Sequence, residues 1–165
     1  MTAVGDSSPL CYLVLIEEID LLPKLFLRGV VPQAVVAELL HEGAPDAVRR
    51  WASSLPAWIL AESTPDIVPP GTEKLQAGER AAIVLAESIP ADLVLLDEKA
   101  ARLVAGARGL RVTGTLGLLG EAATRGWVDL ALAIDRLRQT SFRCSPTLFK
   151  ATLDRFGMRP TRGLE

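Results

Sequence analysis

Apolar and polar positions change rhythm several times along the chain, and each change marks an element. Ala3-Val4-Gly5 is a short apolar run ended by Asp6, and Ser8-Pro9 behind it reads as an N-cap followed by proline at the first helical position. Ile19 to Leu27 carries helical spacing around Leu22, Leu25 and Phe26. Gly29-Val30-Val31-Pro32 predicts a brief strand, followed by helices over Gln33 to Glu42 and Pro45 to Leu55. Ala57 to Leu60 predicts a short extended piece, and the proline-rich stretch from Pro65 to Gly71 a loop. The second half is plainer. Gly78 to Ile89 is an alanine-rich helical run, and Ala91 to Leu96 is a continuous apolar strand of the kind buried in a parallel sheet, ended by Asp97. A helix from Glu98 to Ala107, a strand from Leu110 to Thr113 and helices over Leu116 to Arg125, Leu130 to Gln139 and Pro146 to Phe156 complete the pattern. Strands alternating with helices predict an α/β domain with a mainly parallel sheet and helices on both faces. One domain is expected over residues 1–158, with a flexible tail over 159–165.

Composition narrows the classes. Of 165 residues, 49% are hydrophobic and 23% charged, which excludes a disordered or collagen-like chain. The longest aliphatic runs, Leu13 to Ile16 and Leu93 to Leu96, are far short of the roughly 20 apolar residues of a membrane span. The N-terminal residues do not have the charge and cleavage pattern of a signal peptide, so a cytoplasmic location is expected. Cys11 and Cys144 belong to no metal-binding spacing and read as buried apolar fillers; the single histidine, His41, excludes sites that need two imidazoles. Acid–base chemistry is thereby left mainly to carboxylates.

Charge is unevenly distributed. Residues 1 to 100 carry 7 Lys and Arg against 15 Asp and Glu, whereas residues 101 to 165 carry 11 against 5. Uneven helix faces would explain this; so would an acidic, cation-binding site flanked by an Arg-rich region, which suits a phosphodiester substrate. Arg136, Arg138, Arg143, Arg155 and Arg159 are the candidates for gripping phosphates, or they line solvated helix faces.

Four acids fall on one rim. Ligand sites of open α/β sheets form beyond the carboxyl ends of the strands. Asp6 and Asp97 each end a strand, Glu79 opens a helix that runs antiparallel to the strands, and Glu38 lies early in the helix after Val31. Singly, Asp97 and Glu79 also read as helix caps, and Glu38 as a solvated residue off the stripe of Val35, Val36, Leu39 and Leu40. Asp6 has no such duty once Ser8 is the cap. Acids that converge without basic partners repel one another unless a cation neutralises them, and an all-oxygen donor set selects Mg²⁺ or Mn²⁺ over Zn²⁺. Ser8 is expected either to orient a carboxylate or a metal-bound water, or to act as a plain N-cap.

Asp6-Ser7-Ser8-Pro9-Leu10, Val36-Ala37-Glu38-Leu39, Gly78-Glu79-Arg80-Ala81-Ala82-Ile83 and Leu95-Leu96-Asp97-Glu98, with Arg102 one turn on, together resemble the PIN-domain ribonucleases, most closely a VapC-like subgroup. Gly114-Thr115-Leu116-Gly117 and Phe142-Arg143-Cys144-Ser145 are similar to that subgroup too, so the resemblance covers most of the chain. It implies a three-layer α/β/α sandwich with a short, mainly parallel central sheet. It also implies an acidic cluster that binds Mg²⁺ or Mn²⁺ and cleaves RNA, commonly as the toxin of a toxin–antitoxin pair. By motif position Asp6, Glu38, Glu79 and Asp97 are the catalytic and metal-ligating acids in chain order. The third position is Glu here where many members have Asp, and Gly5 stands in what is usually a β-branched run. The expected partners are RNA, an antitoxin protein and a second copy of the chain, the last two through apolar N-terminal surface around Leu21, Leu22, Leu25 and Phe26, which ordinary core packing would also use.

Three other readings compete. One is a catalytically silent binding or regulatory module of the same fold. A phosphotransfer domain with Asp6 as nucleophile is disfavoured by the lack of an Asp-x-Asp pattern, and a Cys/His hydrolase by the lack of any spacing that pairs Cys11 or Cys144 with His41.

Overall fold

The first strand is set by its neighbours on both sides. In a computed structural model that describes residues 1–157, β1 (Thr2–Gly5) pairs in parallel with β2 (Arg28–Pro32) on one side and β4 (Leu93–Leu95) on the other. β3 (Ile59–Glu62) extends the sheet beyond β2, and β5 (Val112–Thr113) beyond β4, giving the order β3-β2-β1-β4-β5 with every pairing parallel. Strand order therefore reverses between β1 and β4. In an open α/β sheet this is the place where a crevice forms at the carboxyl ends.

The chain divides into two compact units, and the whole sheet lies in the first, Met1–Thr115. Its helices are α1 (Ser7–Leu15), α2 (Leu21–Leu25), α3 (Gln33–Leu40), α4 (Asp46–Ser53), α5 (Ala77–Ser88) and α6 (Lys99–Ala107). Right-handed crossovers distribute them over both faces, the three-layer α/β/α arrangement of this fold class. On one face Val4, Val30 and Val94 are buried with Ala82, Ile83 and Ala86 of α5 and Ala101 and Ala105 of α6. The small alanines let α5 lie close over three strands, which fixes the height of its N-terminus relative to the sheet edge. On the other face Leu10, Leu22 and Phe26 pack beside Ala3, Gly29 and Leu95. Leu21, Leu22 and Phe26 are thus core residues.

The second unit, from Leu116 on, continues α7 (Thr115–Thr124) and holds α8 (Leu130–Arg138) and α9 (Pro146–Phe156). Asp129 and Ser145 cap α8 and α9 through side-chain bonds to Leu132 N (3.0 Å) and Leu148 N (3.1 Å). Arg138 lies 4.8 Å over the Phe149 ring and Arg155 4.9 Å over Phe156. The expected tail over 159–165, with Arg159, lies outside the described residues.

Several boundaries differ from the sequence reading. α1 starts at Ser7 with Asp6 in the N-cap position, so Pro9 sits in the first turn, where its missing N–H costs nothing. The helix expected over Ile19 to Leu27 is only Leu21–Leu25, because Phe26 is extended and Leu27 N already bonds Met1 O to begin the β1–β2 ladder. Cys11 and Cys144 are free and half-buried, not fully buried. His41 turns its Nδ1 to the Gly43 N–H at 3.0 Å, so it is held locally.

The loop into α5 has an internal clamp. The Arg80 guanidinium donates to the carbonyls of Thr72 (3.3 Å), Glu73 (3.4 Å) and Leu75 (2.9 Å). Replacing Arg80 by Met removes all three bonds, two of them partly buried; Thr72 O keeps the Leu75 N–H at 3.1 Å, while the carbonyls of Glu73 and Leu75 lose the guanidinium. The expected loss is about 1–3 kcal/mol of unfolding free energy in a denaturant titration. An unchanged midpoint would show that the clamp contributes nothing.

Candidate active site

Each of the four acids reaches the carboxyl edge of the sheet by a different route. Asp6 follows β1 directly, and its N–H continues the ladder by bonding Leu95 O at 3.2 Å. Its side chain is buried, with 3% of the residue exposed. Asp97 follows β4 two residues after the Gly5↔Leu95 pair, so Asp6 and Asp97 leave adjacent strands at the point where the strand order reverses. Glu38 projects from the second turn of α3, and Glu79 sits in the first turn of α5.

The acids are held by donors from other segments. Ser7 Oγ donates to Glu38 Oε2 at 2.6 Å and stands 3.5 Å from Asp6 Oδ1, so its hydroxyl bridges α1 and α3. Gly78 N–H donates to Glu38 Oε1 at 3.0 Å, which ties Glu38 to the start of α5 as well. Glu79 Oε2 accepts from Gln76 N–H at 3.0 Å, the return arm of a capping box. Asp97 uses both oxygens: Oδ1 accepts from Thr115 N at 2.7 Å and Oδ2 from Thr115 Oγ1 at 2.8 Å.

Two glycines make these approaches possible. A Cβ on Gly78 would lie 2.5 and 2.6 Å from the Glu38 oxygens, and one on Gly114 would lie 2.7 Å from Asp97 Oδ1. Such separations are closer than any side chain tolerates, so these positions admit only glycine while the carboxylates stay in place.

The electrostatics are those of crowded acid. Burial first, and then the charges of Glu38, Glu79 and Asp97, push the Asp6 carboxyl up to about 7, against the opposing pull of the Ser7 N–H. Burial also raises Glu79, helped by Glu98 and Glu38, and raises Asp97 against its bonds to Thr115. Among the described residues the cation acting on Asp97 is Arg102, with Glu98 opposing it. Among the described residues none of the four acids has an ion-pair partner.

A pH dependence follows. A carboxyl raised from 3.8 to about 7 holds a proton in the folded state that the unfolded chain releases, so folding is favoured below pH 4 and loses stability as pH rises to about 7. Without divalent cations, unfolding free energy should therefore fall by up to about 4 kcal/mol between pH 4 and pH 7.5 from this group. Denaturant titrations in a chelating buffer check this; stability that rises over that interval would contradict the crowding of Asp6.

The sequence reading named Asp6, Glu38, Glu79 and Asp97, and the structure places all four at this edge. It named Ser8 as the supporting hydroxyl, whereas the hydroxyl bonded to the cluster is that of Ser7. Ser8-Pro9 has the pattern of a cap because proline often follows one, but α1 begins at Ser7, with Asp6 in the N-cap position. Glu98, Thr115, Gly78 and Gly114 belong to the site as well, beyond the residues the sequence analysis assigns to it. Gly78 and Gly114 directly precede Glu79 and Thr115, and that spacing was the available signal.

Hard carboxylate oxygens carrying more negative charge than nearby bases neutralise fit a divalent cation such as Mg²⁺ or Mn²⁺ in donor chemistry. As the side chains are placed, no group of three or more Asp, Glu, His or Cys among the described residues is arranged to hold an ion.

Among the described residues no helix is long and apolar enough to cross a membrane. No curated protein and no solved structure matches the chain significantly. A family model described as a PIN domain matches residues 2–158, nearly the whole length. The parallel sheet, the reversal between β1 and β4 and the acids gathered there are thus those of a chain that belongs to the PIN-domain family.

Proposed function

We propose that this PIN domain is a Mg²⁺- or Mn²⁺-dependent ribonuclease that hydrolyses RNA phosphodiester bonds, in the manner of the VapC-like toxins. The observation that carries the reading is Asp6: a carboxyl buried at the strand-order reversal and pushed up to about 7 by burial and three other carboxylates. That arrangement costs stability: the Ser7 N–H offsets the burial only in part, and among the described residues no basic side chain is paired with Asp6. Strain of this kind, concentrated at a cleft, is typical of functional sites.

Asp6, Glu38, Glu79 and Asp97 would hold the ion through oxygen. A bound divalent ion supplies a water of lowered pKa and a clamp on phosphoryl charge. The chain's own part is to position. Ser7 and Gly78 hold Glu38 from two sides, Gln76 holds Glu79 in the first turn of α5, and Asp6 can hold or release a proton near neutral pH. Arg102, exposed one turn beyond Asp97, would face the phosphates of the RNA. An antitoxin partner, a homodimer and a cytoplasmic setting belong to the same reading.

A second reading has one observation in its favour. Since among the described residues no three donors are arranged around an ion and all four acids already accept protein hydrogen bonds, the domain would also serve as a catalytically silent binding or regulatory module. Incubation with mixed single-stranded RNA and tRNA, with Mg²⁺, Mn²⁺ or EDTA, separates the two. Metal-dependent cleavage of RNA supports the nuclease. Binding of RNA or protein that ignores EDTA, without cleavage under any condition, supports the module.

A further inference from the structure

We infer that Thr115 is the positioning residue for Asp97, its hydroxyl and N–H together fixing the pose in which that carboxylate receives a divalent cation. The inference rests on the metal-site reading above and adds a residue to it. β4 and β5 are paired with Leu95 opposite Thr113, so two residues further on the register brings Asp97 opposite Thr115. There the backbone N–H takes Oδ1 at 2.7 Å and the hydroxyl takes Oδ2 at 2.8 Å. Two donors from one residue stop both translation of the carboxylate and rotation about its last torsion, which neither bond alone does.

Three features mark this as a built device. Thr115 is fully buried, so water does not compete for the carboxylate on that side. Gly114 beside it leaves open the space through which Asp97 Oδ1 approaches, since a Cβ there would stand 2.7 Å from that oxygen and 3.1 Å from Leu96 O. The other strand-end acid is held less closely: Ser7 lends Asp6 its N–H, but the Ser7 hydroxyl stands 3.5 Å from Oδ1 and is bonded instead to Glu38 at 2.6 Å. Asp97 is thus the fixed member of the strand-end pair and Asp6 the looser one. Partners that orient a ligand in this way typically set metal affinity by about 10–100-fold.

The variants are Thr115→Val, which keeps the N–H and the shape but removes the hydroxyl, and Thr115→Ser, which restores the hydroxyl alone. Mn²⁺ affinity is measured by calorimetry on the full chain, with circular dichroism and thermal melts recorded in parallel, and RNA cleavage is followed against Mn²⁺ concentration. The inference expects Thr115→Val to bind Mn²⁺ at least about tenfold more weakly, with half-maximal cleavage shifted to higher Mn²⁺ by the same factor, and Thr115→Ser to stay within about threefold of the parent. Parent-like Mn²⁺ affinity in a folded Thr115→Val protein would overturn it, even if the melting temperature fell, because the role would then be structural only. Should Thr115→Val not fold, a Thr115→Ser protein that folds like the parent yet binds Mn²⁺ tenfold more weakly overturns it equally. A parent that binds Mn²⁺ but cleaves no RNA defeats the nuclease reading and leaves the affinity comparison to decide the clamp; a parent that binds no Mn²⁺ defeats both.

Discussion

Asp6→Asn is expected to abolish metal-dependent RNA cleavage while making the metal-free protein more stable at pH 8. The two effects have one cause. Asp6 is 3% exposed and pushed up to about 7, so above neutral pH it is an ionised carboxylate in a buried site beside three other acids. An amide of nearly the same shape removes that charge. The gain in unfolding free energy should be roughly 1–3 kcal/mol at pH 8 and should vanish near pH 4, where the parent's Asp6 is itself protonated. Loss of one ligand costs several kcal/mol of transition-state stabilisation, and at about 1.4 kcal/mol per factor of ten the rate should fall at least about a thousandfold. Activity traded against stability in this manner is the mark of a functional charge. Parent-like cleavage would remove Asp6 from the site, and a variant that lost activity by unfolding would refute the crowding.

Gly78→Ala should be the second most damaging single change, although it adds only one methyl group at a residue that performs no chemistry. The added Cβ would stand 2.5 and 2.6 Å from the two Glu38 oxygens and 2.8 Å from Cδ. Either Glu38 leaves, breaking its bonds to Gly78 N and Ser7 Oγ, or the start of α5 moves and takes Glu79 with it. The atoms met are the far end of the flexible Glu38 side chain, so the cheaper course is for Glu38 to swing away: stability should fall by no more than about 1 kcal/mol, the order of the hydrogen bonds lost, while the displaced ligand should weaken Mn²⁺ binding at least about tenfold. Thermal melts and a Mn²⁺ titration check both parts. Glu38→Gln is the control: it removes the charge and leaves the space, so it should weaken Mn²⁺ without the loss of stability. A Gly78→Ala protein with parent-like affinity would mean that Glu38 does not contribute to the ion.

How far the sequence shows these relations depends on their range along the chain. Asp6 and Asp97 are legible because each ends an apolar run, and the carboxyl ends of parallel strands share an edge. Glu79 is legible because it opens an alanine-rich helix that must cross back over the sheet. The length of α2 is not, since the spacing of Leu22, Leu25 and Phe26 is helical while the pairing of Leu27 with Met1 requires extended backbone. The need for glycine at 78 is invisible for a similar reason: its cause is Glu38, 40 residues away. The bond from Thr115 to Asp97 spans 18 residues and exists only through the β4–β5 register. Ser7 and Ser8 are equivalent as sequence; the start of α1, two residues earlier than the cap pattern suggests, decides which hydroxyl meets Glu38.

The most direct test of the central claim is a calorimetric Mn²⁺ titration of the parent and of Asp6→Asn at pH 7.5, after exhaustive treatment with EDTA. The claim is that the acids gathered where the strand order reverses form a divalent-cation site. It predicts saturable binding by the parent, binding at least about tenfold weaker in the variant, and a rise in the parent's melting temperature with Mn²⁺ that the variant lacks. A folded parent that takes up no Mn²⁺, or a variant that binds it as tightly as the parent, would contradict the claim.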